Sequence, residues 1–335
     1  MYTAGIWFRN ALYDKGIFRV RPVGVPVISV GNLTAGGTGK TPVVEYLLRY
    51  LLKHGKKVAV ISRGYKRSTS GTFIVSDGRQ IFGTAKVSGD EPYQMARKFP
   101  STVVIVDEVR GRAARVAVNI HRADVIVLDD AFQHRSIARD LDIVMIDGQT
   151  ILKEIPMLPA GIRREPLSAL RRADILVVSR SGDLNFQKEG FKQYSTAPIA
   201  KVEFKPKSLV HWSTLKSISC SDIKGQSCIA FCGIGNPMSF HNILKSIGFT
   251  VIEFIRFPDH HRYSSPNLKT IEEKFRSSNA QMIVTTEKDA VRLSPDETGI
   301  FSFTKSLYYL EIEAEIVEGE LVFHQMIDAT LHSVR

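Results

Sequence analysis

The chain has 335 residues, which is enough for one large domain or two ordinary ones. Its hydrophobic fraction of 44% and charged fraction of 24% are typical of globular proteins and argue against a disordered chain. The formal net charge of +11 indicates an anionic partner, such as a nucleic acid, a membrane surface or a phosphate-rich substrate.

Cysteine content and hydropathy limit the cellular setting. Three cysteines, Cys220, Cys228 and Cys232, form no even disulfide framework and match no common zinc spacing, so we expect a reducing, cytosolic compartment. No run of about 18 apolar residues occurs, so we expect no membrane-spanning helix. Charged residues at positions 9, 14 and 15 interrupt the first apolar stretch too early for a signal peptide.

Residues 3–19 are predicted to form a short helix. The side chains of Ala4, Trp7, Phe8 and Leu12 gather largely on one side, and basic residues follow the helix. Two interpretations stay open. The helix could lie on a membrane, with aromatic residues at the headgroups and basic residues near anionic lipid, or it could pack on the domain as an ordinary amphipathic helix.

From Val25 onward, apolar runs alternate with helical patterns. The runs are rich in β-branched residues, as expected of parallel strands that are covered on both faces. Strands are predicted at 25–30, 57–62, 102–107, 124–130, 142–147 and 174–179, and helices at 41–53, 90–98 and 110–121. This alternation predicts a doubly wound, mostly parallel α/β sheet.

The regular alternation of predicted strands and helices changes after about residue 200. An extended connector is predicted at 199–213, helices near 238–248 and 266–277, and a strand at 280–293. These patterns predict a second, smaller α/β domain. We therefore expect one domain at 1–200, including the N-terminal helix, and a lid or substrate domain at 201–335.

The segment GNLTAGGTGKTP, residues 31–42, joins a predicted strand to a predicted helix. Its glycines allow backbone amides to surround a phosphate, while Lys40 reaches the β- and γ-phosphates and the Thr41 hydroxyl binds Mg²⁺. Thr34 replaces the first glycine of the usual motif, so a plain strand-to-helix turn is the alternative. The motif predicts a P-loop NTPase-like fold that binds ATP through Ala35, Gly36, Gly37, Thr38, Gly39, Lys40 and Thr41.

Two acidic residues follow another predicted strand. Asp129 and Asp130 come after the run VIVL, at the strand end where a nucleotide site needs a carboxylate for its metal. A single aspartate at such a position is often only a helix cap, but a pair beside a phosphate loop favours Mg²⁺ binding. With Thr41 and Glu91, these residues form the predicted metal set.

A kinase also needs a group that takes the proton of the acceptor hydroxyl. Asp90 lies at a predicted loop-to-helix junction, where an N-cap is the alternative interpretation. The segment FPDHHRY offers His260 and His261 beside a carboxylate, and histidine can hold or relay a proton near neutral pH. Arginines at strand ends suit the phosphates of donor and acceptor.

In order along the chain, these motifs resemble the tetraacyldisaccharide 4'-kinase family, the lipid A 4'-kinases. The resemblance rests on LYDKGI, VPVISVGNLTAGGTGKTP, VISRGYKR, SGDEPYQMA, EVRGRAA, VIVLDDAFQHR, LPAGIRREPLSALRRAD, FPDHHRY and TTEKDAVRL. It implies ATP-dependent phosphorylation of the 4'-hydroxyl of a lipid A disaccharide-1-phosphate precursor. It also implies that the enzyme works at an anionic membrane surface, the cytoplasmic face of the inner membrane.

The resemblance further implies roles for individual residues. Asp90 becomes the proton acceptor, paired with His260 in preference to His261, and Lys40 acts on the phosphates. Contacts to substrate or nucleotide are implied for Arg110, Arg164 and Glu165.

Two other classes of protein fit the sequence less well than a kinase does. A P-loop GTPase or ATPase switch is disfavoured because the lysine of TTEKD is displaced from its position in a guanine-binding motif. A nucleic-acid-binding protein would use the positive charge, but no helix-turn-helix or stacked aromatic set is evident. We therefore expect no nucleic-acid partner, and we expect a monomer.

Overall fold

A computed structural model describes residues 2–149, 152–180, 190–191, 193–293, 298 and 301–332. The chain divides into two units: unit 1 comprises Met1–Phe204 and Ala314–Arg335, and unit 2 comprises Lys205–Glu313. The sequence predicted a boundary at 200/201. The predicted second domain also contained 314–335, which the structure places in unit 1.

The described helices and strands are as follows in chain order. The first part of the chain contains α1 (Tyr2–Asp14), β1 (Val27–Asn32), α2 (Lys40–Lys53), β2 (Val58–Ser62), β3 (Phe73–Asp77), α3 (Ala85–Ser88), α4 (Asp90–Lys98), β4 (Val103–Val106), α5 (Arg110–Asn119), β5 (Val125–Asp129), β6 (Leu141–Asp147), β7 (Ile175–Ser179) and β8 (Ile199–His211). The rest contains β9 (Ser217–Ser219), β10 (Ser227–Cys232), α6 (Pro237–Ser246), β11 (Thr250–Arg256), α7 (Ser265–Arg276), β12 (Met282–Thr286), α8 (Glu287–Arg292), β13 (Leu307–Glu318) and α9 (Glu320–His332).

Unit 1 is built on a sheet with β1 near its centre. The strand order is β3-β4-β2-β5-β1-β6-β7-β8, and the pairs from β4 to β8 are parallel, whereas β3 pairs antiparallel with β4. All six residues of β1 are buried. Strands covered on both faces need apolar side chains on both, which explains the continuous apolar runs of the sequence.

Helices cover both faces of this sheet. Val43, Leu47 and Leu51 of α2 pack on one face, and Ala113 and Ala117 of α5 pack on the other. Each fully buried aliphatic side chain of this kind contributes about 1.5–3 kcal/mol. The burial holds α2, and with it the loop that precedes α2, firmly against β1.

The C-terminal helix α9 belongs to unit 1 because of its own apolar face. Phe323 and Ile327 are buried in the same cluster as the apolar side chains of α2. Tyr46 of α2 donates a hydrogen bond to Glu320 at 3.0 Å, and Tyr50 donates one to Asp328 at 2.8 Å. This packing corrects the domain boundaries predicted from the sequence.

Unit 2 is a smaller α/β layer. Its strand order is β11-β10-β12-β13-β8, with β9 antiparallel to β8, and β10 pairs parallel with both β11 and β12. Phe231, Leu268 and Ile283 are fully buried in its core. Among the described residues, no helix reaches the length and apolarity needed to span a bilayer.

The structure differs from the sequence-based expectations at four elements. The edge strand β3 was not predicted, and the expected connector at 199–213 is the paired strand β8. The expected strand at 280–293 is β12 followed by helix α8, because the Thr286 hydroxyl accepts a hydrogen bond from the Asp289 amide and caps a new helix. Helix α1 ends at Asp14, earlier than the predicted residue 19.

Candidate active site

The loop between β1 and α2 has the geometry of a phosphate cradle. Gly36 (φ 120°) and Gly39 (φ 86°) have positive φ angles, and Gly39 is the N-cap of α2. A Cβ atom at Gly39 would lie 2.1 Å from the Phe204 ring, so only glycine fits there. Because glycine has no side chain to cap the helix, the amides of its first turn remain for an anion.

The structure explains the threonine at the position of the usual first glycine. Thr34 forms an antiparallel bridge with Arg163, and the Ala35 amide donates a hydrogen bond to the Ile162 carbonyl at 2.7 Å. Thr34 is buried and does not adopt a positive φ angle. The start of the loop is therefore held by β-type pairing, for which a β-branched residue is suited.

Side chains at neighbouring strand ends fix the rest of the loop. Asn32 donates a hydrogen bond from Nδ2 to the Thr38 hydroxyl at 3.1 Å, and the Ser179 hydroxyl donates one to the Thr38 carbonyl at 3.2 Å. Arg180 binds the Gly37 carbonyl through Nη2 at 2.6 Å. With its carbonyls engaged in this way, the loop is preorganised for an anion.

Lys40, Asp130 and Arg164 meet directly beside the loop. The Nζ atom of Lys40 lies 3.4 Å from Oδ1 of Asp130, and Nη1 of Arg164 lies 3.0 Å from Oδ1 and 2.9 Å from Oδ2. Burial acts to raise the pKa of Asp130, but the charges of Lys40 and Arg164 outweigh it and lower the pKa. Asp130 also has a φ of 49°, a strained backbone typical of functional sites.

Asp129 is the most deeply buried carboxylate of the site. Its side chain accepts a hydrogen bond from the Ser62 hydroxyl at 3.2 Å, and only 2% of the residue is exposed. Burial, helped by the nearby negative charges of Glu91 and Asp130, raises the pKa of Asp129 to about 7. Oxygen ligands suit Mg²⁺, and a divalent cation would favour the charged form of Asp129. Among the described residues, no three or more histidine, cysteine or acidic side chains are arranged to hold a metal ion by themselves, so any ion here would take further ligands from the triphosphate or water.

Arg110 lies against the same acidic pair. It is the first residue of α5, 3% of it is exposed, and its Nη1 donates to the Asp107 carbonyl at 3.3 Å. Burial lowers the pKa of Arg110 to about 10, while the charges of Asp129 and Asp130 oppose the decrease. Six residues predicted from the sequence are thus electrostatically linked in unit 1: Lys40, Glu91, Arg110, Asp129, Asp130 and Arg164.

Asp90 begins helix α4. Gly89, with φ 93°, occupies the N-cap, so the alternative interpretation of Asp90 as the N-cap is wrong. The helix is tied to α2 by a buried cluster: Gln94 donates to Oε1 of Glu45 at 2.9 Å, and Lys98 lies 2.8 Å from Oε2. This cluster sets the position of α4, and hence of Asp90, relative to the helix that follows the phosphate loop.

Glu165 is held by structural partners. Both carboxylate oxygens are engaged, by Arg172 at 2.8 Å, Asn10 at 2.9 Å and Arg9 at 3.5 Å, and the residue is fully buried. Two of these partners belong to α1, so Glu165 anchors the N-terminal helix. Its predicted role as a contact of nucleotide or substrate stays a prediction.

The two histidines of FPDHHRY lie in unit 2 in different surroundings. His260 has a φ of 60°, and its Nδ1 lies 3.2 Å from Nη2 of Arg292. His261 stacks on Phe257 with ring centroids 4.7 Å apart, and its Nε2 lies 3.0 Å from Asn267. Its packed ring gives His261 a structural role. The pairing of His260 with Asp90 joins residues of two units and stays a prediction.

Sequence reasoning missed several residues that support the loop. The signal was present, because each is a polar residue at or just after the carboxyl end of a parallel strand, the edge where ligands of such sheets bind. These residues are Asn32, Ser179 and Arg180 beside the loop and Ser62 beside Asp129. Gln133, which the sequence itself places near the end of β5, donates from Nε2 to the Asn32 carbonyl at 2.8 Å.

Comparison with known proteins finds one family that this chain resembles over almost its whole length. The family described as "LpxK: Tetraacyldisaccharide-1-P 4'-kinase" matches residues 1–332. A tetraacyldisaccharide 4'-kinase of Halothermothrix orenii is 38% identical, covering 98% of this chain and 90% of the relative. One of Syntrophus aciditrophicus is 39% identical, covering 88% and 83%.

The fold is similar to that of a solved member. The crystal structure of LpxK from Aquifex aeolicus in complex with ATP is 35% identical, with a TM-score of 0.81 and coverage of 99% of this chain and 96% of that chain. This likeness confirms the predicted P-loop NTPase-like α/β fold. The chain therefore belongs to the tetraacyldisaccharide-1-P 4'-kinase family.

Proposed function

We propose that this chain transfers the terminal phosphoryl group of ATP to the 4'-hydroxyl of a tetraacyldisaccharide 1-phosphate, the lipid A precursor. The observation that carries the proposal is the meeting of the glycine-rich loop, Lys40 and the buried Asp129 at one edge of the unit 1 sheet. Such a site positions a triphosphate and neutralises its charge, which are the main demands of phosphoryl transfer.

The donor end of the reaction is served by unit 1. The amides of the loop and the N-terminus of α2 bind phosphate oxygens, and Lys40 approaches the β- and γ-phosphates. Asp129, Thr41, Glu91 and Asp130 form the proposed metal site, where Mg²⁺ would supply positive charge between the β- and γ-phosphates. Arg110 and Arg164 add fixed positive charge next to this position.

At the acceptor end, Asp90 takes the proton of the sugar hydroxyl. Asp90 lies in the first turn of α4, an end of the helix that suits an acidic residue. In a largely dissociative reaction the proton leaves late, so a carboxylate of ordinary basicity is sufficient. His260 is the proposed partner of Asp90.

The N-terminal segment is the proposed membrane contact. No described residue of α1 is buried, and Trp7 and Phe8 are 68% and 65% exposed. Ile17 and Phe18 follow and are exposed as well, and Arg19 and Arg21 lie next to them. Aromatic and basic residues together suit the headgroup layer of an anionic leaflet. We place the enzyme at the cytoplasmic face of the inner membrane, where its acylated substrate resides, and as a monomer.

The test is an assay of phosphate transfer to a defined acceptor. Purified protein with Mg-ATP and tetraacyldisaccharide 1-phosphate in detergent micelles should form the 1,4'-bisphosphate. The Lys40→Met variant should form it with a kcat/KM lower by about 10³-fold or more. Hydrolysis of ATP at the same rate with and without the acceptor, and without a phosphorylated lipid, would overturn the proposal.

A further inference from the structure

The motif TTEKDAVRL has no role in the site described so far, yet it contacts His260. Arg292, at the end of α8, places Nη2 3.2 Å from Nδ1 of His260 and Nη1 2.8 Å from the Gly233 carbonyl. The same carbonyl accepts the His260 amide at 3.0 Å. Arg292 thus contacts the ring of His260, and the Gly233 carbonyl holds its backbone, which has a left-handed φ of 60°.

Arg292 is in turn fixed by a buried carboxylate. Oδ1 of Asp289 lies 2.8 Å from Nη1 of Arg292, while Oδ2 accepts the Gly233 amide at 3.0 Å and the Thr286 hydroxyl at 2.6 Å. Asp289 is fully buried, and 4% of the Arg292 side chain is exposed. A buried pair with satisfied hydrogen bonds is a rigid support.

Gly233 allows this close arrangement. A Cβ atom there would lie 3.0 Å from the Cβ of His261, 3.0 Å from the Pro258 carbonyl oxygen and 3.3 Å from Oδ1 of Asp289. The backbone just after β10 approaches the histidine loop and α8 closely at position 233, where a side chain would force its neighbours to shift by a few tenths of an ångström.

The contact with Arg292 decides where the histidine carries its proton. A guanidinium has only hydrogen-bond donors, so Nδ1 of His260 must accept and must carry a lone pair. A protonated imidazole would have N–H groups on both ring nitrogens and would set one of them against Arg292. A neutral ring in this geometry carries its single proton on Nε2.

We propose that Asp289 and Arg292 are positioning residues that hold His260 as the neutral Nε2–H tautomer. This inference rests on the proposed function of His260. It assigns His260 the role of a hydrogen-bond donor through Nε2, directed at an oxygen of the acceptor sugar. Since Nδ1 is committed to Arg292 and Nε2 already carries a proton, removal of the acceptor proton falls to Asp90.

The tautomer is measured directly by long-range ¹H–¹⁵N NMR of the full-length protein labelled at histidine nitrogens. The His260 signals are assigned by their loss in His260→Gln. At pH 7.5 the wild type should show a non-protonated Nδ1 and a protonated Nε2, and Arg292→Met should lose this preference. Arg276→Met, an exposed arginine of α7, is the matched control and should change nothing. A protonated Nδ1 in the folded wild type overturns the inference, as does an unchanged tautomer in folded Arg292→Met.

Kinetics separate this inference from the function on which it rests. Arg292→Met should lower kcat about 10-fold or more with little change in the KM for ATP, and Arg292→Lys, which keeps a donor, should recover part of the loss. His260→Ala combined with Arg292→Met should be no slower than His260→Ala alone. Additive losses overturn the positioning role.

If His260→Ala retains full kcat, the catalytic role of His260 fails, while the NMR result still decides the tautomer. Should Arg292→Met unfold, Asp289→Asn serves in both measurements.

Discussion

Lys40 and Arg164 share one carboxylate beside the phosphate loop: Nζ of Lys40 lies 3.4 Å from Oδ1 of Asp130, and Nη1 of Arg164 lies 2.9 Å from Oδ2. Asp130 thereby holds the two basic side chains in place beside the end of β5. A triphosphate that enters the loop meets a positive cluster whose geometry is already set, which is the condition for electrostatic stabilisation of the transition state.

Replacement of Lys40 by methionine should lower kcat/KM for phosphate transfer by about 10³-fold or more, because the principal cation near the β- and γ-phosphates is lost. Initial rates with Mg-ATP and tetraacyldisaccharide 1-phosphate give the measurement. Lys53→Met, at the exposed far end of the same helix, is the control and should retain activity. Equal activity of both variants would remove Lys40 from the site.

Replacement of Asp129 by asparagine should stabilise the metal-free protein while abolishing transfer. The folded-state pKa of Asp129 lies above that of the unfolded chain, so the native state binds the proton more tightly. Stability from this group is full below about pH 4 and is lost as the pH rises towards about 7. The gain of the variant should therefore be on the order of 1–2 kcal/mol at pH 5 and should rise to about 4 kcal/mol at pH 7.5.

Thermal unfolding of wild type and Asp129→Asn in EDTA, from pH 5 to 8, gives the measurement. Subtraction of the two curves removes the pH dependence that other groups contribute. A variant that is less stable than the wild type at pH 7.5 would show that Asp129 is ionised and well compensated within the protein itself.

Asp90→Asn should lower kcat by about 10²–10⁴-fold with little effect on ATP affinity, because the base acts on the acceptor hydroxyl. Single-turnover rates and equilibrium binding of an ATP analogue separate the two quantities. Glu154→Gln, an exposed carboxylate of the same unit, should behave as the wild type. Near-normal turnover of Asp90→Asn would exclude Asp90 as the base.

Glu45→Ala should destabilise unit 1 by about 1–3 kcal/mol, because the buried Gln94 and the partly buried Lys98 lose their common partner. Since these two residues lie on α4, kcat should fall as well through the displacement of Asp90. Urea unfolding and initial rates are the measurements. Adding Lys98→Met should recover part of the stability, and no recovery would contradict the assigned pairing.

Trp7→Ser with Phe8→Ser should weaken binding to anionic vesicles about 10-fold or more and leave the melting temperature unchanged, because no described residue of α1 is buried. Co-sedimentation with vesicles containing phosphatidylglycerol is the measurement. Leu321→Ser is the matched control, because Leu321 of α9 is 71% exposed and thus as accessible as Trp7 and Phe8. Equal sedimentation of all three proteins would locate the membrane contact elsewhere.

Much of unit 1 could be predicted because its signals are local. The β-branched runs that become β1, β2 and β5 must be covered on both faces, and a glycine-rich turn between a strand and a helix has few conformations open to it. The carboxyl ends of parallel strands meet at one edge, so Lys40 and Asp129 could be placed together from order alone.

By itself, then, the sequence determined the types of the elements, the phosphate loop and the acidic end of β5. Hydrophobic periodicity, helix caps and turn residues are local signals, because each acts over only a few positions of the chain. Only the tertiary structure decided which distant groups meet. Arg164 binds Asp130, and Glu165 binds residues of α1. Helix α9 packs in unit 1, and Arg292 contacts His260. These pairings depend on how whole elements pack, and a linear pattern carries no information on the distance between residues far apart in the chain.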